Sequence, residues 1–176
     1  MSVNFETKIA QSRNFNKEFN LKSIYPKLIC NCRYFNINNQ PIIGNIYVRQ
    51  NDSTEFIEPC IAQTRWGNIP GKCKGNKCWF PYGGREHEGY EFNRILGTKE
   101  NPIILVANNP QNPSGPPEGT LAGMQNDSAG LLYAAIANTQ WGEIPGKAKG
   151  NECWFPYGGY EEKTNYFFWI VKTKAK

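Results

Sequence analysis

Apolar residues along this chain come in short runs, and turn-forming or charged residues interrupt each run before a helix could complete three turns. Short runs bounded by Gly, Pro, Asn and Asp are the pattern of antiparallel strands. It predicts strands near 45–50 (NIYVRQ), 56–63 (FIEPCIAQ), 77–82 (KCWFPY), 91–96 (EFNRIL), 103–107 (IILVA), 131–138 (LLYAAIAN), 152–157 (ECWFPY) and 166–172 (YFFWIVK). Two earlier stretches, ICNCRYFNI and PIIGNIYV, alternate well enough to add strands to the first sheet. The first two dozen residues show no readable pattern.

The pattern repeats itself. Residues 50–84 lie over residues 125–159 without a gap, and 23 of the 35 positions are identical, including QNDS, IPGK and CWFPYGG. Beyond them, YEFNRIL and YFFWIV align one position out of step, so the repeat unit includes a closing strand. This divides the chain into an N-terminal segment, 1–39, expected to pack on or complete the first repeat; repeat 1, 40–96; a linker with one strand, 97–124; and repeat 2, 125–172. The linker's NNPQNPSGPPEG cannot be helical. A unit of about 47 residues is too small to bury a good core alone. The expected fold is therefore all-β, with the two tandem repeats packed in pseudo-two-fold symmetry into one compact antiparallel-sheet domain.

Composition agrees: 21 asparagines, 17 glycines and 12 prolines supply turns, and 24 aromatics suit pleated, half-buried surfaces. No apolar run approaches the roughly 18 residues of a membrane-spanning helix, so no membrane partner is expected. The N-terminus has neither the basic head nor the apolar middle of a secretory signal, and a cytoplasmic location is expected. A net charge of +5 is scattered rather than gathered on one stretch, which argues against a nucleic-acid partner. Without an export signal, the six cysteines are expected to be reduced, buried or half-buried thiols. His87 is the only histidine, so neither a metal site nor a cysteine-histidine pair can recur in both copies, where Cys73 aligns with Ala148 and His87 with Glu162. No nucleophile motif is present, and no enzyme, metal or cofactor is expected.

A role built into the repeat should appear in both copies. Asn51 and Asp52, matched by Asn126 and Asp127, sit in turn-like QNDS segments, where an Asp commonly bonds its own backbone. Twenty residues on, Lys72 and Lys147 follow Ile-Pro-Gly, which is expected to form a tight bend holding each ammonium at a fixed surface position. A carboxylate acceptor and an ammonium donor with amides nearby suit a neutral ligand rich in hydroxyls, each of which donates and accepts. Trp66 and Trp141 serve either as a wall for a sugar ring or as core. Glu86 and Glu161 either reach the ligand or cap a backbone amide. On this reading, replacing Lys147 or Asp127 weakens binding and leaves the fold intact.

Taken in order, these pieces resemble the DM-nine repeat family, found as tandem pairs in small lectin-like proteins and as the leading module of natterin-like proteins. The match rests on Tyr47, the IPGK of 69–72, CWFPYGG of 78–84, Glu86 and YEF of 90–92, then on Tyr133, 144–147, 153–159, Glu161 and 166–168. The resemblance implies binding of mannose-type glycans, with one site per repeat, and a role in microbial recognition or innate defence. It points to Lys72 and Lys147 with Asp52 and Asp127 as acidic partners. The family's Gly-rich acidic loop is seen here only as GTLAGMQNDSAGLLY, which favours the second site. No aerolysin-like pore module follows, so pore formation is not expected. The alternative reading is a structural or self-assembling β-repeat protein without sugar binding, and either function is compatible with a homodimer.

Overall fold

The computed structural model of the chain describes residues 40–52 and 54–174, and the expectations for 1–39, with Cys30 and Cys32, lie outside them. Every regular element among the described residues is a strand. In chain order these are β1 (Gly44–Asn45), β2 (Val48–Arg49), β3 (Phe56–Thr64), β4 (Gly67–Lys74), β5 (Lys77–Tyr82), β6 (Arg85–Gly89), β7 (Phe92–Arg94) and β8 (Leu96–Gly97). They continue with β9 (Ile103–Ala107), β10 (Ala122–Gln125), β11 (Leu131–Thr139), β12 (Gly142–Lys149), β13 (Glu152–Tyr157), β14 (Tyr160–Thr164) and β15 (Phe167–Lys172).

Eight strands close on themselves in the order β4-β5-β6-β14-β13-β12-β11-β10 and back to β4, an antiparallel barrel to which both repeats contribute. Closure removes the unpaired edges that an open sheet would present. The halves meet at β6 and β14, where Tyr160 pairs with Arg85, its own counterpart in the other copy. A residue facing its own equivalent marks the pseudo-two-fold axis. The other seams obey the same symmetry, since Gln125 pairs with Gly67 and Gln50 with Gly142.

The closing strands also keep the repeat offset. Ala62 pairs with Phe92 and Ala137 with Phe167, so the copies stay in step where the aromatic pattern suggested a one-residue slip. Their environments differ. β15 lies between β11 and β9, and Phe167, Phe168, Trp169, Ile170 and Val171 are all buried, which explains its unbroken apolar run. Among the described residues β7 pairs with β3 alone, and Asn93 and Arg94 remain exposed.

The Ile-Pro-Gly-Lys segments do not bend. They run through β4 and β12, with Pro70 opposite Ile61 and Pro145 opposite Ile136. Gly71 and Gly146 lack a positive φ. Their role is close approach: a Cβ would lie 2.3 Å from the Trp79 carbonyl oxygen at Gly71 and 2.1 Å from that of Trp154 at Gly146. No side chain fits there, so glycine lets β4 and β5, or β12 and β13, come together. The expected tight turn was a reading of residue types whose actual function is steric.

Candidate functional site

Because each Lys lies within a barrel strand, its side chain points into the seam between the repeats. Lys72 and Lys147 are each only 5% exposed. The Lys72 ammonium donates to Gln50 Oε1 at 2.7 Å and to the Pro156 carbonyl at 2.7 Å, and pairs with Glu86 Oε1 at 3.0 Å. Lys147 repeats this with Gln125 Oε1 at 2.6 Å, the Pro81 carbonyl at 2.8 Å and Glu161 Oε1 at 2.9 Å. An ammonium has three N–H donors. All three are used in both copies, and one acceptor in each set comes from the opposite repeat.

The glutamates complete the crossing. Glu86 Oε2 accepts from the Gly159 amide at 2.7 Å, and Glu161 Oε2 from the Gly84 amide at 2.6 Å. The Glu86 amide donates to the Gly159 carbonyl and that of Glu161 to the Gly84 carbonyl. Of the two roles open to these glutamates in the sequence, the backbone-capping one is filled. Burial alone pushes the Lys72 ammonium below its ordinary range, against the upward pull of Glu86.

The aspartates sit further out. Asp52 is exposed and accepts from Gln50 Nε2 at 3.0 Å, while Asp127 accepts from Gln125 Nε2 at 3.0 and 3.1 Å and from the Ala129 amide at 2.9 Å. Gln50 and Gln125 thus bridge each aspartate to its buried lysine. The bond from Gln50 holds the Asp52 carboxyl below the usual range, and the Ala129 amide, then Gln125, do so for Asp127. Each aspartate also faces a tyrosine hydroxyl of the opposite repeat, Tyr157 at Asp52 and Tyr82 at Asp127. Burial, then the neighbouring aspartate, raises both tyrosines.

Asn51 and Asn126 clasp the opposite repeat's hairpin turn. The Asn51 amide donates to the Trp141 carbonyl and its side chain to the Gln140 carbonyl, at 2.8 and 2.9 Å. Asn126 does the same with Trp66 and Arg65, at 2.9 and 3.3 Å. The clasped tryptophans are half-buried, and each stacks on the tyrosine of its cluster, Trp66 on Tyr82 and Trp141 on Tyr157, with ring centroids 4.9 Å apart. Arg65 lies 4.3 Å over the Trp66 ring, a position taken by Gln140 in the other copy.

All eight candidate residues therefore fall into two composite clusters, one at Asp52, Lys72 and Glu86 and one at Asp127, Lys147 and Glu161. Each is finished by residues of the other repeat. Sequence reasoning missed Gln50, Gln125, Tyr82, Tyr157 and the carbonyls of Pro81 and Pro156. The glutamines and tyrosines were visible as identities between the copies; the carbonyls had no sequence signal. A separate cleft of about 310 Å³, lined among others by Ile61, Gln63, Asn68, Asn93 and Met124, contains none of the candidate residues. Among the described residues, no group of three or more His, Cys, Asp or Glu side chains is arranged to hold a metal.

The all-β fold with two inter-repeat clusters defines a duplicated barrel module. No protein-family profile matches the sequence, and no curated protein does. Among solved structures, it is similar to the nematode sperm cell motility protein MFP2B, with a TM-score of 0.54 and 15% sequence identity. The match covers 79% of this chain and 43% of that one, so this chain spans less than half the length of its neighbour. At that identity the likeness establishes the fold.

Proposed function

We propose that the barrel is a non-enzymatic binding module for hydroxyl-rich ligands of the mannose type, held at the two seam clusters. The observation that carries this reading is the duplicated pairing of an exposed aspartate with a tyrosine from the other repeat, beside a half-buried tryptophan. Aspartate accepts from sugar hydroxyls, tyrosine donates and accepts, and the aromatic ring offers an apolar wall to C–H groups. The resemblance to DM-nine repeats supports it. The lysines act from behind: saturated by protein acceptors, they fix the glutamines that aim the aspartates. The composite build predicts that neither repeat alone forms a site.

The test is a glycan array of the parent protein beside an Asp52→Ala/Asp127→Ala double variant, with folding checked by near-ultraviolet circular dichroism. Each lost charge-assisted hydrogen bond is worth about 1.5–3 kcal/mol, so binding of mannose-type glycans should weaken by about tenfold or more. Equal binding by parent and variant would remove the aspartates from the site.

The saturated lysines favour a second reading, a structural or self-assembling protein in which the clusters only join the repeats. The motility role of the similar nematode sperm protein is in keeping with it. On this reading sedimentation shows concentration-dependent assembly that persists in excess free mannose, and the array is blank for a folded parent.

A further inference from the structure

At one buried spot the two copies differ in chemistry. In repeat 1, Cys60 on β3, Cys73 on β4 and Cys78 on β5 are all fully buried free thiols in one cluster with Ala62, Ile69 and Phe80. At the same places repeat 2 has Ala135, Ala148 and Cys153. Cys73 and Cys78 face each other directly across the β4–β5 hairpin, one pair in from Lys74 and Lys77, which flank the Gly75-Asn76 turn. In a two-residue hairpin the pair closing the turn is hydrogen-bonded and the next is not. Non-hydrogen-bonded partners bring their Cα atoms to about 4.5 Å, within the range a disulfide requires.

We infer that Cys73 and Cys78 form a thiol–disulfide site specific to the first repeat, with a low-molecular-weight disulfide such as oxidised glutathione as its oxidant. Cys78 is the attacking sulfur. The Cys60 thiol alongside, as hydrogen-bond partner, holds the Cys78 thiol below its ordinary range against the effect of burial, whereas Cys60 itself is pushed far upward by its bonds to Cys73 and then Cys78 and by burial. The Cys78 thiolate attacks one sulfur of the reagent, whose S–S bond breaks and releases one thiol. Cys73 then displaces the second reagent thiol and closes the protein disulfide. Two electrons pass from protein to reagent, and the two protein thiol protons leave on the two released thiols. Both thiols are fully buried in the closed barrel, so exchange proceeds through local opening of the hairpin end, whose Gly75-Asn76 turn is exposed. The crosslink would tie together the strands that carry Lys72 and Trp79, which are themselves paired.

Native full-length protein is incubated with oxidised glutathione, quenched with an alkylating agent and mapped as peptides. The expected product loses two hydrogens and links Cys73 to Cys78, while Cys153 is recovered as a free thiol. The variant Cys73→Ala, which copies the arrangement of Ala148 opposite Cys153, folds and forms no such link. A map showing only glutathione adducts, a link through Cys60 instead, or an untouched Cys73 and Cys78 after full exposure to the reagent would overturn the assignment.

Discussion

Lys147→Met is expected to unfold at markedly lower denaturant than the parent, with stability reduced by about 3–5 kcal/mol, the cost of removing one partner from a buried ion pair. Methionine keeps the stem's packing but leaves the Glu161 carboxylate, Gln125 Oε1 and the Pro81 carbonyl without the ammonium they share. Glu161 is then a largely buried charge held, among the described residues, by the Gly84 amide alone. Lys72→Met carries the equivalent loss at Glu86, Gln50 and Pro156. The thermal midpoint should fall by about 6–20 °C. A double variant, Lys147→Met with Glu161→Gln, removes the orphaned charge and should recover part of the loss; a double-mutant cycle measures the coupling. A single-variant cost within 1 kcal/mol of zero would mean that the ammonium does not join the repeats. The sequence reading expected a lysine substitution to leave the fold intact. Burial reverses that expectation and makes the aspartates the proper probes of binding.

The duplication was plain in the sequence, because 23 identities at a constant offset need no structural knowledge to see. The strands with alternating or continuous apolar residues, β3, β5, β11, β13 and β15, were equally visible. β6 and β14 were not: REHEG and YEEKT lie at the seam, where half-buried and exposed positions mix and no apolar face emerges. β4 and β12 were hidden by proline and glycine, whose usual meaning is a turn. Lysine is rarely buried without a partner, so an IPGK lysine reads as a surface donor. Its actual surroundings depend on a carbonyl 84 positions away for Lys72 and 66 for Lys147, contacts that only the packing of the two repeats creates. Residue identity located the clusters, and long-range pairing decided what each member does.

Glu143→Gln should stabilise the protein at pH 8 and have little effect near pH 4.5. Glu143 lies on β12 at 8% exposure, and its Oε2 is buried without a hydrogen-bond partner among the described residues. Burial pushes its carboxyl up to about 7. An acid whose pKa is raised on folding is protonated in the native chain while already ionised in the unfolded one, so the folded state holds the extra proton between those values. Stability from this group is therefore intact below about pH 4.5, declines as pH rises towards 7, and stays low above it. The full difference amounts to about 3 kcal/mol. Glutamine keeps the shape without a charge to desolvate, so the variant should lose this part of the pH dependence. The first repeat supplies the contrast, since Asn68, an uncharged and exposed residue, stands at the same position. Chemical denaturation at pH 5 and pH 8 checks the claim: the parent weakens between them and Glu143→Gln does not. If the parent is equally stable at both, the Glu143 carboxyl ionises normally in the native barrel and its burial costs nothing there.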